Sequence, residues 1–276
     1  MEIVYMNGAT EYEPIDEQAM AIGFFDGVHR GHQALLRAAQ QQAKTNGHTF
    51  AVMTFSPHPD EVIRGLKDKK YITPLAEKVR VMKKFGVERM YIVQFDWDFA
   101  SLSPEQFVER YVVQLKTKHA VIGFDYHYGK KASGNADTLQ ASGLQYGFGV
   151  SVIRKKTDGA AEKISSTLVR QLIADGRIER VTNLLGRPFE MVATIAPQQL
   201  HTYSMNVDPS YTVPATGMYE VVMQQGRRMT IGRVMSDGVQ MTLRTEELSD
   251  WSGATRITFI RTVTEYSNVQ AQALAQ

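Results

Sequence analysis

The 276-residue chain has no cysteine, which excludes disulfides, zinc–thiolate centres, iron–sulfur clusters and a cysteine nucleophile. It has almost no net charge: 31 Lys+Arg against 29 Asp+Glu leave +2, too little to gather nucleic acid or an anionic membrane surface. Any anion site must therefore be local. No apolar run approaches the roughly 20 residues that span a bilayer. The opening Met1-Glu2-Ile3-Val4-Tyr5 lacks the basic and then apolar pattern of a secretion signal. These absences read as a soluble cytoplasmic protein with no membrane or nucleic-acid partner. Lysine is missing from residues 190–276, where six Arg face eight acids, so that part carries −2 and residues 1–189 carry +4. What remains is ordinary: 43% hydrophobic and 22% charged residues suit a folded chain of one large domain or two.

In the first part, short runs rich in Val, Ile and Phe at residues 19–25, 49–55, 90–95, 120–124 and 150–153 alternate with stretches of helical period. That alternation predicts an α/β fold with a Rossmann-like parallel sheet. Helix starts are marked by Thr73-Pro74 and by Ser103-Pro104-Glu105-Gln106, a capping box with proline at the first helical position. Ser165-Ser166-Thr167 precedes a further helix that stops at Asp175-Gly176, and a second short helix ends at Gly186. From residue 190 the period changes to two, in runs at 219–223, 229–234, 239–243 and 257–263, which predicts a small antiparallel, barrel-like β domain. Residues 197–216 hold three prolines and no clear period, and read as a long loop. The predicted domains are 1–189 and 190–276.

One segment carries chemistry: Ala21-Ile22-Gly23-Phe24-Phe25-Asp26-Gly27-Val28-His29-Arg30-Gly31-His32-Gln33. A buried strand delivers a glycine-bearing turn, and the turn a helix whose N–H groups and partial positive charge face the carboxyl edge of the sheet. His29 and His32, three apart, share one side of a first turn, and Gly31 lets a phosphate approach the backbone. Two imidazoles at a helix N-terminus suit charge stabilisation on a phosphoryl group in transfer. The same pair could supply two ligands to a metal with a third from elsewhere, and the glycines could serve only a tight turn. No G-x-G-x-x-G follows the first strand, and Gly129 to Gly134 is followed by Asn135 where a Walker loop needs Lys.

Phe25-Asp26-Gly27-Val28-His29-Arg30-Gly31-His32-Gln33 resembles the signature of bacterial FAD synthetases, the adenylyltransferase module of bifunctional riboflavin kinase/FMN adenylyltransferases and one branch of the HxGH nucleotidyltransferases. Thr54-Phe55-Ser56-Pro57-His58-Pro59, Ile122-Gly123-Phe124-Asp125-Tyr126-His127-Tyr128-Gly129 and Ile164-Ser165-Ser166-Thr167-Leu168-Val169-Arg170 agree in order and spacing, so the resemblance spans about residues 15–189. It implies transfer of AMP from ATP to FMN, with Mg²⁺ on the phosphates. His29, His32 and Arg170 would act on the reacting phosphates. Gly23, Phe24, Phe25, Asp26 and Gly27 would frame the nucleotide. Ser166, Thr167 and Arg170 would close on the β- and γ-phosphates, and Phe55, Pro57, His58, Asp125 and Tyr126 would lie near FMN. Other mononucleotide acceptors, and a non-catalytic flavin or nucleotide sensor, remain alternatives, and oligomeric state is open.

The kinase half of that family opens on a Gly-Arg-Gly-Arg segment followed by Gly-Phe-Pro-Thr-Ala-Asn, whose Thr and Asn serve Mg²⁺ and ATP. Here Met191-Val192-Ala193-Thr194-Ile195-Ala196-Pro197-Gln198-Gln199-Leu200-His201 stands in its place, and Val239-Gln240-Met241-Thr242-Leu243 has no carboxylate where the kinase strand bears its catalytic Glu. The expectation is a kinase-like β domain without kinase activity, against the alternative of an intact bifunctional enzyme. Incubating the pure protein with riboflavin, ATP and Mg²⁺ should yield no FMN; steady FMN formation would contradict this reading.

Overall fold

The computed structural model describes residues 1–8, 12–154, 157, 163–199, 201–246 and 251–263. They fall into two compact units, Met1–Lys69 with Leu75–Lys163 and Lys70–Pro74 with Ile164–Gln276.

The first unit is built on six strands: β1 (Glu2–Met6), β2 (Gln18–Ile22), β3 (Thr49–Ser56), β4 (Arg89–Gln94), β5 (Thr117–Gly123) and β6 (Gly149–Ile153). All neighbours are parallel, in the order β1-β4-β3-β2-β5-β6. The five predicted strands are present, and β1 is added at the edge. Only Val4 and Met6 of β1 are buried, so it has none of the continuous apolar character that announces β2, where all five residues are inside. Helices α1 (Arg30–Asn46), α2 (Pro59–Ile63), α3 (Leu75–Lys84), α4 (Trp97–Ala100), α5 (Pro104–Val108) and α6 (Ala136–Tyr146) belong to the crossovers. Alternation along β2 divides the core in two. Ala19 and Ala21 pack with Leu35, Leu36, Ala39 and Ala43 of α1 on one face, while Met20 and Ile22 pack with Phe107, Tyr111 and Val112 on the other. The capping box on Ser103 and Gln106 forms as the sequence predicts. From β2 the chain moves outward through β3 and β4, then returns to place β5 on the other side of β2. The carboxyl ends of β2 and β5 therefore flank the topological switch point, where open α/β sheets leave a crevice for a ligand.

In the second unit, α7 (Ser166–Ala174) and α8 (Ile178–Leu185) precede β7 (Phe189–Gln199), β8 (Thr202–Val207), β9 (Gly217–Gln225), β10 (Arg228–Ser236), β11 (Met241–Arg244) and β12 (Gly253–Val263). The strands close into a barrel in the order β10-β11-β8-β7-β12-β9, every pair antiparallel. The sequence divides the chain at 189/190, whereas the compact units divide at 163/164. The reason is burial: Val169, Leu172 and Ile173 of α7 and Ile178, Val181, Leu184 and Leu185 of α8 share one core with Phe189, Met191, Tyr219, Val221, Ile257 and Phe259 of the barrel. The loop expected over 197–216 is corrected, because β7 continues to Gln199 and β8 pairs back onto it. The ladder shifts register between Pro197 and Gln199, which is how a strand accommodates a residue with no N–H to donate.

Phe259 is fully buried, with its ring 5.4 Å from that of Phe189 and 5.8 Å from that of Tyr219. Phe259→Ala should cost about 3–5 kcal/mol of stability, read as a lowered urea midpoint; an unchanged midpoint would show that the ring is not part of the core.

Candidate functional site

The turn from Gly23 to His29 leaves β2 at the switch point and enters α1. Phe25 (φ 58°), Gly27 (φ 79°) and Val28 (φ 44°) all take left-handed backbone. For the two that carry a Cβ this costs of order 1–3 kcal/mol each, so neighbouring groups must hold it. The Phe24 carbonyl accepts from Thr54 Oγ1 at 2.8 Å and from Lys78 Nζ at 2.7 Å, and the Val28 carbonyl accepts from Gln33 Nε2 at 3.0 Å. The Phe25 ring is fully buried and lies back over Gly23, where any Cβ would come within 3.1 Å of it.

His29 is the N-cap of α1, and its Nδ1 accepts the backbone N–H of His32 at 3.2 Å. The sequence places both histidines in the first turn; the structure makes His29 the cap and His32 the third helical residue. Because Nδ1 of His29 is an acceptor, a neutral ring carries its proton on Nε2 and presents a donor there. The two rings stack with centroids 3.6 Å apart and planes 13° apart. The Phe25 ring meets His32 nearly edge-on at 5.2 Å, and His32 Nδ1 is buried without a hydrogen-bond partner among the described residues. Burial lowers His29 to about 4. Burial first, then His29 and Lys78, pushes His32 well below the ordinary imidazole range. At neutral pH the pair is therefore uncharged, and it is poised to stabilise negative charge that arrives from outside.

Further groups lie in or near this turn. Asp26 is buried in it. At the end of β3, His58 caps α2 through Nδ1, which accepts the Asp60 N–H at 3.0 Å. The His58 ring meets that of Phe24 at 4.4 Å, which brings the Pro57–His58 turn against the first. After β5, Asp125 is paired with Lys163, and both act electrostatically on His29. Tyr126 stacks on Tyr128 at 5.8 Å, and burial raises its phenol far above the usual range. Phe55, in contrast, packs into the aromatic core against Phe95 and Phe99.

Ser166, Thr167 and Arg170 lie on α7 of the second unit. Ser165 is its N-cap, with Oγ accepting from the Leu168 N–H at 3.2 Å. Ser166 and Thr167 are therefore the first two helical residues. Lys78 was not found from the sequence. It is 2% exposed on α3 and its ammonium reaches the turn. The available signal was position: Lys78 occupies the same helical stripe as Val81 and Met82, both buried.

A helix N-terminus, two neutral imidazoles and a glycine-bearing turn at the switch point of a parallel sheet define an α/β protein equipped for a phosphorylated ligand. The family model for FAD synthetase matches residues 12–168. A bifunctional riboflavin kinase/FMN adenylyltransferase of Listeria monocytogenes is 39% identical over 238 residues, 83% of this chain and 75% of the relative. An FAD synthetase of the same organism is 30% identical over 235 residues, 84% of this chain and 93% of the relative. A crystal structure described as a macrolide-efflux protein from Streptococcus pneumoniae is similar with a TM-score of 0.86, covering 100% of this chain and 96% of that one at 25% identity. The chain belongs to the FAD synthetase family. Among the described residues, no helix is long and apolar enough to cross a membrane.

The lowered histidines make stability depend on pH. The unfolded chain takes up protons near 6.5, but the folded protein keeps His29 neutral down to about 4. The unfolded state thus binds more protons in that window, and the stability, complete above about 6.5, falls as the pH drops through it. Urea midpoints should be lower at pH 5 than at pH 7, and an NMR midpoint for His29 at or above 6.5 would contradict the buried, neutral pair.

Proposed function

We propose that the protein transfers AMP from ATP to FMN, giving FAD and pyrophosphate. The observation that carries this reading is the stacked His29/His32 pair on the N-terminus of α1, in a chain of the FAD synthetase family. An FMN phosphate oxygen attacks the α-phosphorus in line. A P–O bond forms to FMN as the bond to the β-phosphate oxygen breaks, and pyrophosphate leaves. The nucleophile is already an anion at neutral pH, so no general base is required and catalysis is a matter of positioning and charge. His29 Nε2–H and His32 donate to the phosphates, and Gly23, Phe24, Phe25, Asp26 and Gly27 frame the nucleotide. Ser166, Thr167 and Arg170 keep their assignment to the β- and γ-phosphates on their own chemistry, a helix N-terminus with a guanidinium one turn in. Pro57, His58, Asp125 and Tyr126 are assigned to FMN. Phe55 acts as the packed floor behind them.

Mg²⁺ enters this reading on the ATP phosphates. Among the described residues no group of three or more His, Cys, Asp or Glu could hold an ion, so most of its oxygen shell would come from phosphates and water, which suits a cation that dehydrates reluctantly. Bound there it would neutralise charge on the leaving pyrophosphate. The barrel is assigned no kinase step, since β11 reads Met241-Thr242-Leu243-Arg244 and bears no carboxylate. A cytoplasmic setting fits an ATP-dependent reaction.

The test is FAD and pyrophosphate formation from ATP and FMN, run beside other mononucleotide acceptors. His29→Ala and His32→Ala should each lower kcat by about 10²-fold or more, the usual effect of losing one donor to developing charge. A double variant with near-normal kcat, or a preferred acceptor other than FMN, would overturn the assignment.

A further inference from the structure

Lys78 has no role in the mechanism above, yet its surroundings are built around it. Nζ donates to the Phe24 carbonyl at 2.7 Å and to Thr54 Oγ1 at 3.2 Å, while Thr54 Oγ1 itself donates to the same carbonyl. The ammonium also lies 4.0 Å from the centre of the Phe24 ring. Packing alone does not account for this residue. Methionine would fill the same channel without the penalty of taking an ammonium out of water. The charge is balanced by Asp26, buried in the turn itself. What the ammonium holds is the point where the backbone turns left-handed, since Phe25 follows Phe24 directly. From there the contacts run without a gap: the Phe25 ring bears on His32, and His32 stacks on His29.

We propose that Lys78 is a positioning residue for the histidine pair, fixing the Phe24 carbonyl and, through Phe25, aligning His32 and His29 on the phosphoryl group in transfer. The kinetic side of this rests on the adenylyl-transfer reading; the geometric side does not. Burial brings Lys78 down to about 8, with Asp26 opposing it. Among the described residues, His32 on α1 also interacts with it, and the lysine's charge disfavours His32 protonation. The lysine is therefore charged at neutral pH and loses its proton, and with it the grip on the turn, as the pH rises through about 8. The pH dependence of kcat/KM reports such a group in the free enzyme.

Three measurements test this. Lys78→Met should lower kcat tenfold or more at pH 7 with KM for ATP within threefold of wild type, because the histidines act in the transition state. Wild-type kcat/KM should fall on the alkaline side with a midpoint near 8, and that limb should be missing in Lys78→Met. A kcat within twofold of wild type, or a limb that persists in the variant, overturns the proposal. If Lys78→Met does not fold, or the wild type makes no FAD from FMN, the wild-type protein decides the matter without substrate. In a histidine-labelled sample the His29 and His32 imidazole signals should move together between pH 7 and 9.5 with a midpoint near 8, although neither ring titrates there. Signals that stay fixed through that range overturn it.

Discussion

The site depends on one carbonyl. Phe24 C=O, at the last residue before the backbone turns left-handed, accepts from a buried ammonium and a buried hydroxyl at once. Left-handed Phe25 and Val28 each oppose folding by about 1–3 kcal/mol. A hydrogen bond from a charged donor contributes about 1.5–3 kcal/mol and a neutral one about 0.5–1.5, so the anchors at Phe24 and Val28 are of the size needed to offset that strain. The helix that follows could begin with other turns. Only this one sets a glycine under an aromatic ring, that ring against His32, and His32 against His29.

Electrostatics follow from that packing. Two protonated imidazoles at 3.6 Å would repel each other, and burial already disfavours charge on either. Neutral rings next to a helix N-terminus make a surface that donates hydrogen bonds without being strongly cationic, so it gains most when charge grows on a ligand oxygen.

The β2–turn–α1 segment was legible in the sequence because its signals are local: a continuous apolar strand, glycines, and two histidines at the start of an amphipathic helix. The capping box at Ser103 and the period-two, barrel-like β domain were legible for the same reason. What escaped depends on neighbours far along the chain. β1 shows only two buried side chains and becomes a strand by pairing with β4, more than eighty residues away. Pro197 reads as a loop until β8 pairs across it. Lys78 reads as a lysine at the border of an amphipathic face, where such residues commonly extend to water. Only the fold of β2 and β3 beside α3 shows that it points inward. Ser165 caps α7, a position that the run Ser165-Ser166-Thr167 leaves unresolved by propensity because serine or threonine suits each place.

The same long-range logic explains the barrel. The barrel cannot be separated from α7 and α8. Seven apolar side chains on these helices are buried in the barrel's own core, and each would lose roughly 1.5–3 kcal/mol of burial if exposed. Helices of nine and eight residues are too short to persist alone in water. The N-terminus that presents Ser166, Thr167 and Arg170 therefore exists because the barrel covers the opposite face of α7. Whatever its own chemistry, the β domain has a physical task, which is to cover the buried face of the helix that begins with the second candidate phosphate cradle.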